Sequence, residues 1–260
     1  MKQAPKPDLT RIQGIEACAF HAWPAPQTER HGDWLLRLAG GFTKRANSAN
    51  PGAPDASFEG VQAAAEALYG RHGLPAIFRI TPLASPEADV QLASAGYVLF
   101  DPSCVMTRVL EGAPESVADA FITEGVTIAL QPTDAWLDGF SAANGVSAQH
   151  QGIHHAMLRS IAHSTGFATL HHAGDAIGFG LAVREGDALG FYDIVIDPAH
   201  RNQGHGATLM RALMGWGIAI GARWAYLQVR EENPAARALY AGLGFADLYR
   251  YHYRVPGAAL

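Results

Sequence analysis

Apolar residues recur along the chain in two rhythms, one of strands and one of helices. Residues 33–39, with Trp34, Leu35, Leu36 and Leu38, form a short apolar run closed by Gly40 and Gly41, the pattern of a strand and a turn. A second strand is expected over 42–46, followed by a loop rich in Pro, Gly and Asp over 50–57. Val61, Ala64, Ala65, Leu68 and Tyr69 then repeat at helical spacing until Gly70 and Gly73. Residues 75–81 read as a buried strand, Ser85 and Pro86 as the cap and first position of another helix, and 97–109 as a long strand. The order is strand, helix, strand, helix, strand.

Polar residues, Gly112 and Pro114 interrupt this alternation, which places one domain over 1–111, a linker over 112–124 and a second domain over 125–260. The second begins with a strand at 126–130 and short helices at 134–143 and 154–163. Three strands follow at 167–172, 177–184 and 189–196, joined by turns at Gly174-Asp175 and Gly186-Asp187. A helix over 206–220, a strand over 224–229, a helix opened by Asn233-Pro234 and a last strand over 245–254 complete it. Ser85-Pro86 precedes Gly96-Tyr97 by the same step with which Asn233-Pro234 precedes Gly244-Phe245, so the two halves read as a duplicated unit. The fold class is mixed α/β of the α+β type: two tandem domains, each a twisted mixed sheet flanked by helices.

Length agrees with that division, since 260 residues suit two small domains. The apolar fraction is 48% and the charged fraction 17%, which excludes disordered and fibrous classes. A net charge of -5 with 19 Lys and Arg leaves no electrostatic footprint for nucleic acid. No secretory signal opens the chain, and the most apolar stretch, 212–222, is closed by Arg211 and Arg223 at about half the length of a membrane span, so no membrane partner and a cytoplasmic location are expected. Cys18 and Cys104 stand alone, as small buried side chains in a reducing compartment.

The candidate chemistry lies at 194–210. Ile194, Val195 and Ile196 end a strand, Pro198 stops it, and Arg201, Asn202, Gln203, Gly204, His205, Gly206 and Ala207 lead into a helix. Glycines at a helix start let backbone N–H groups close on an anion that the helix dipole also attracts. Leu209 stands where a dinucleotide fingerprint needs a small residue, and the Gly-Lys-Ser/Thr of a Walker loop is absent, which leaves some other pyrophosphate as ligand.

Arg201-x-x-Gly204-x-Gly206 after Ile196-x-Pro198, followed by Asn233-x-x-Ala236-x-x-x-Tyr240 and Leu243-Gly244-Phe245, resembles the GCN5-related N-acetyltransferases (GNAT) over about the last 70 residues. The resemblance implies acetyl-CoA as co-substrate between two splayed parallel strands, 189–196 and 224–229, with its pyrophosphate on 201–207. It also implies backbone bonds from Ile194, Val195 and Ile196 to the pantetheine arm and acetyl carbonyl, Asn233 as a further ligand, and Tyr240 as the acid that protonates the leaving thiolate. The first half lacks both devices: Asn50 and its neighbours replace the cradle, Leu92 stands in the place of Tyr240, and the domain is read as a degenerate GNAT-like one.

An amine acceptor must lose a proton before it attacks a thioester. Asp193, inside an apolar run, is the first candidate base, beside the alternative that its carboxylate serves a neighbouring strand or Arg184; Glu231, Glu232 and a water chain come next. His150 and His154 have the i, i+4 step of metal ligands, but no third ligand completes a set, so no metal is expected; His171 or His172 belongs to the cleft or to a surface hairpin. The resulting expectation is an acetyl-CoA-dependent N-acetyltransferase acting on a primary amine of a small molecule by direct attack in a ternary complex. The alternatives are a non-catalytic acyl-CoA sensor and a protein lysine or N-terminal acetyltransferase. Oligomeric state is not written in the sequence.

Overall fold

The computed structural model describes residues 8–110 and 123–259, so the linker expected at 112–124 lies outside the described residues except for its last two. In chain order the elements are α1 (Leu9–Ala22), β1 (Gln27–His31), β2 (Trp34–Leu38), β3 (Ser48–Pro51), α2 (Val61–Arg71), β4 (Phe78–Ile80), α3 (Pro86–Ser94) and β5 (Tyr97–Val109). They continue as β6 (Val126–Ala129), α4 (Asp134–Asn144), α5 (Ala148–Arg159), β7 (Ser164–His172), β8 (Asp175–Glu185), β9 (Ala188–Ile196), α6 (His205–Ala219), β10 (Trp224–Arg230), α7 (Pro234–Gly242) and β11 (Ala246–Pro256). Among the described residues no helix is long and apolar enough to cross a membrane.

Two compact units divide the chain: residues 1–105, 229–233 and 247–260 in the first, 106–228 and 234–246 in the second. The chain passes from one to the other within β5, and most of the C-terminal strand β11 returns to the first unit. There the strand order is β1-β2-β3-β4-β11, with β11 antiparallel to β4 from His252↔Ile80 to Arg254↔Phe78. A strand left at a sheet edge exposes unpaired backbone groups, and β11 covers that edge of β4.

In the first unit an aromatic chain fills the core: Trp34 against Phe58, Phe58 against Phe78 and Phe78 against Tyr97, each edge to face at 5.2–5.7 Å. Leu92, the residue standing for Tyr240 in this half, is fully buried in the same cluster and touches no cleft chemistry. Opposite the apolar core, Glu16 of α1 is buried against Arg79 and the Tyr249 hydroxyl, and the Arg79 guanidinium lies 3.8 Å over the Tyr251 ring. Burial also lowers Arg37 to about 10; its guanidinium donates to the carbonyls of Arg45, Phe20 and Trp23.

Two expectations fail in this unit. No strand forms over 42–46: Thr43 is left-handed, and Asn47 accepts from the Ala39 and Gly41 N–H groups and donates to the Phe42 carbonyl, which fixes a turn instead. The strand is β3, which starts after that segment and runs with Asn50 and Pro51 into the stretch read as loop. α1 and β1 were not anticipated either, although Ile12, Ile15, Ala19 and Ala22 are the buried stripe of α1 and Asp8 caps it at Arg11 N–H.

The second unit orders its strands β10-β9-β8-β7-β6, antiparallel except for the β9–β10 pair. Trp136 of α4 stacks on Phe140 and meets Phe167 and Phe179 edge on, while α6 buries Leu209, Leu213 and Trp216. α5 runs earlier than its expected 154–163, because Ser147 opens it and it stops at Ser160. The paired helices of the proposed duplication correspond: α3 and α7 have the same length, and Gly96 and Gly244 follow them at φ +85 and +81.

Candidate active site

β9 is the strand on which the site is built. Its parallel ladder with β10 begins at Trp224↔Ala188 and ends at Leu227↔Phe191, so the two strands part in front of residues 192–196. On its other side the register to β8 shifts, with Leu181 opposite Tyr192 but Phe179 opposite Val195. Asp193 and Ile194 therefore share one partner position, Gly180, which is a β-bulge. A Cβ on Gly180 would stand 2.8 Å from Ile194 Cδ1, 3.1 Å from Leu213 Cδ1 and 3.2 Å from Leu209 Cδ2, so glycine lets the bulged strand and α6 approach without displacing these side-chain ends.

Asp193 makes the bulge with φ +51, in the left-handed region. Its carboxylate lies 2.8 Å from Nε2 of His154 on α5, the two side chains being 9% and 0% exposed. A left-handed non-glycine residue costs roughly 1–2 kcal/mol, and a hydrogen bond to a charged group contributes roughly 1.5–3 kcal/mol, so the bond is large enough to offset the strain. The carboxylate thus serves a helix rather than Arg184 or a neighbouring strand. Phe140 and His155 flank the buried imidazole, with ring centroids at 5.1 and 5.9 Å.

After Ile196 the chain turns sharply. Asp197 accepts from the Ala199 N–H at 2.8 Å, and Arg201 Nε donates to the Ile196 carbonyl at 3.0 Å. Asn202 at φ +61 and Gly204 at φ +85 then swing the backbone into α6, which has no side-chain cap. Ala207 and Thr208 turn their N–H groups to the Gly204 carbonyl, but those of His205 and Gly206 open the helix and have no carbonyl within it. The positive end of the helix dipole adds to this bare donor set.

A cavity of about 270 Å³ lies there, walled by Ile194 and Ile196 of β9, by Arg201, Asn202, Gly204, His205, Gly206 and Ala207, and by Tyr240. A Cβ on Gly206 would come within 3.1 Å of Leu239 Cδ2, so a larger residue there narrows the gap between α6 and α7. Nine of the residues singled out in the sequence are gathered on one wall or another. Val195 is buried and paired with Phe179, Gln203 is exposed and donates to the Ala199 carbonyl, Asn233 is exposed just before α7, and Asp193 faces His154; none of these lines the cavity.

Tyr240 is 9% exposed, and burial pushes its hydroxyl up to about 12. The lining residues not foreseen as ligands are His200, Ala235, Ala236 and Leu239, Ala236 having entered only as a motif position. The last three were legible in principle, since with Tyr240 they make one helical face of α7. His154 carried no such signal, standing 39 residues before Asp193. Glu231 and Glu232 are held by Arg250 and Arg230 at 3.1 and 3.0 Å. Exposed His172 belongs to the cradle end, its ring 5.5 Å from His205 and 6.1 Å from His200. His150 bonds Ser147 at 3.1 Å, and His154 is given to Asp193.

A family model described as "Probable histone acetyltransferase Rv0428c C-terminal" matches residues 10–254. The uncharacterized N-acetyltransferase YobR of Bacillus subtilis is 32% identical over 249 residues, 94% of this chain and 98% of YobR. The chain belongs to the GCN5-related N-acetyltransferase family. Its fold agrees with solved members at low identity: a GNAT protein from Kribbella flavida, 14% identical, superposes over 97% of both chains with a TM-score of 0.65. A tandem GNAT protein from the clavulanic acid biosynthesis pathway, 15% identical, covers 97% of this chain and 89% of its own with a TM-score of 0.59. The N-alpha-acetyltransferase RimI of Mycobacterium tuberculosis is 44% identical over 69 residues, only 26% of this chain and 42% of RimI. The protein is therefore an acyltransferase of the GNAT type, built as a tandem GNAT fold.

Proposed function

We propose that the second unit binds one acetyl-CoA and transfers its acetyl group to the primary amine of a small molecule, by direct attack in a ternary complex. The observation that carries this reading is the cavity itself, where parted strands, a bare helix start and Tyr240 meet. GNAT-fold acetyltransferases use acetyl-CoA, and the residues here suit it: the N–H groups of His205 and Gly206 with Arg201 for the phosphates, and the unpaired backbone edge of β9 at Ile194 and Ile196 for the amide-rich arm. Once bound, the co-substrate supplies an activated acetyl thioester.

The chain's own groups then have three tasks. Backbone N–H groups at the bulge donate toward the carbonyl oxygen as it gains charge. Asp193, held by His154 beside the cavity and not on its wall, takes through a bridging water the proton that the acceptor ammonium must lose. Tyr240 holds a phenolic proton at the cavity wall for the departing sulfur. The atoms balance: nitrogen gains acetyl and loses a proton, and sulfur loses acetyl and gains one. A cytoplasmic site of action accords with the absence of a membrane-crossing helix among the described residues and belongs to the same proposal.

A protein acceptor is the second reading. It is favoured by the matches to RimI and to the ribosomal protein bS18-alanine N-acetyltransferase of Escherichia coli, which is 32% identical over 82 residues. Thiol release measured with amino acids, polyamines, aminoglycosides and peptides separates the two. Turnover of a small amine supports the first reading; turnover of peptides alone replaces it with the second, and binding of acetyl-CoA without any turnover replaces both with a sensor.

A further inference from the structure

We propose that His154 is a positioning residue for acetyl transfer: its imidazole holds the Asp193 carboxylate, and with it the left-handed backbone that sets Ile194 on the cavity wall. The inference rests on the reading of Asp193 as the group that takes the amine proton. His154 is wholly buried on α5, where an apolar side chain would pack against Phe140 without the desolvation that an imidazole suffers. A carboxylate only accepts, so the 2.8 Å contact requires the proton on Nε2 of His154.

Two constraints meet at residue 193. The backbone is at φ +51, and two residues of β9 share the one position opposite Gly180. With the side chain released, residue 193 relaxes toward extended backbone and the bulge closes. The register of β9 then shifts by one, and Ile194 turns away from the cavity it lines. One hydrogen bond thereby fixes both the direction of the carboxylate and the placement of the strand that carries the acyl site. The other titratable or charged groups around the imidazole are His155, which burial lowers and which bonds Ser141, together with Arg159 and Asp138, which act on His155.

The test uses the full chain with His154→Phe, which fills the space without the bond, and His154→Gln, which keeps a donor. With the amine of the panel that gives the fastest thiol release, kcat of His154→Phe falls about 100-fold, the order expected for misplaced reacting groups. The Kd for acetyl-CoA by calorimetry rises several-fold, because Ile194 leaves the cavity wall, and His154→Gln recovers about tenfold of the loss in kcat. In an Asp193→Ala background, which leaves Nε2 no acceptor, the Phe substitution adds no further loss, because it acts through Asp193. Multiplicative losses, or a Gln variant no better than Phe, would overturn the proposal in favour of a purely structural histidine. A readout free of any acceptor accompanies these: imidazole NMR of the whole protein should show His154 as the Nε2–H form with a proton slow to exchange. The Nδ1–H form with a bare Nε2 would overturn the pairing. If no amine is acetylated at all, the functional reading fails while the tautomer still decides the pairing.

Discussion

Tyr240→Phe removes one hydroxyl and leaves the ring that meets Phe245 at 6.3 Å. The size of the effect follows from acidity. Burial pushes the phenol to about 12, above the thiol of a cysteine side chain at about 8.5. Complete proton transfer from tyrosine to thiolate is therefore uphill by a few kcal/mol, at about 1.4 kcal/mol for each unit of difference. Tyr240 then helps chiefly by donating a hydrogen bond to the sulfur as charge grows, with water finishing the protonation. That limits its share to the lower part of the general-acid range, so kcat of the Phe variant should fall roughly 10- to 100-fold rather than 10⁴-fold. Steady-state thiol release reads this, with acetyl-CoA affinity by calorimetry and the melting temperature measured on the same sample. Both should stay close to wild type, since the ring volume is kept. Full activity in Tyr240→Phe would refute the role and leave tyrosine as core filling, harmful only when cut to Ala.

Asp193→Asn keeps a side chain that tolerates the left-handed region but cannot take a proton, so turnover should fall most at neutral pH with acetyl-CoA affinity nearly intact; an unchanged pH–rate profile moves the base to a water chain. Arg79→Met strands the buried Glu16 carboxylate, and urea unfolding should report a loss of about 3–5 kcal/mol; a loss below about 1 kcal/mol would contradict the pairing. Asp89 is held below its ordinary 3.8 first by its hydrogen bonds from Arg254 and then by His252. Its stabilising contribution is therefore present above that value and fades as pH falls through the lowered one. Acid unfolding of Asp89→Asn should begin from a lower stability and slope less below that pH; a parallel curve would contradict this.

Local signals carried much of this. Pro86 and Pro234 at the helix starts, the glycines at 96 and 244, and the strand-forming run at 97–109 produce α3, α7 and β5 as read, because the fixed φ of proline and φ > 0 at glycine act within a few residues. The same holds for the turn and helix start at 201–207, whose residues are contiguous. What escaped the sequence depends on distant partners. β3 forms through its neighbours β2 and β4 although Asn50 and Pro51 favour a loop. The bulge at Asp193 needs Gly180 on another strand and His154 on a helix, and no spacing within β9 announces either.

The central claim places acetyl-CoA in the cavity of the second unit. Calorimetric titration of the full chain with acetyl-CoA tests it most directly, run beside the Gly204→Asp, Gly206→Asp double variant. Carboxylates at these positions strain the left-handed turn at φ +85, crowd Leu239 and repel the pyrophosphate. The account predicts one site per chain in the wild type and no measurable binding in the double variant. Two equivalent sites, or binding that survives both substitutions, would contradict it.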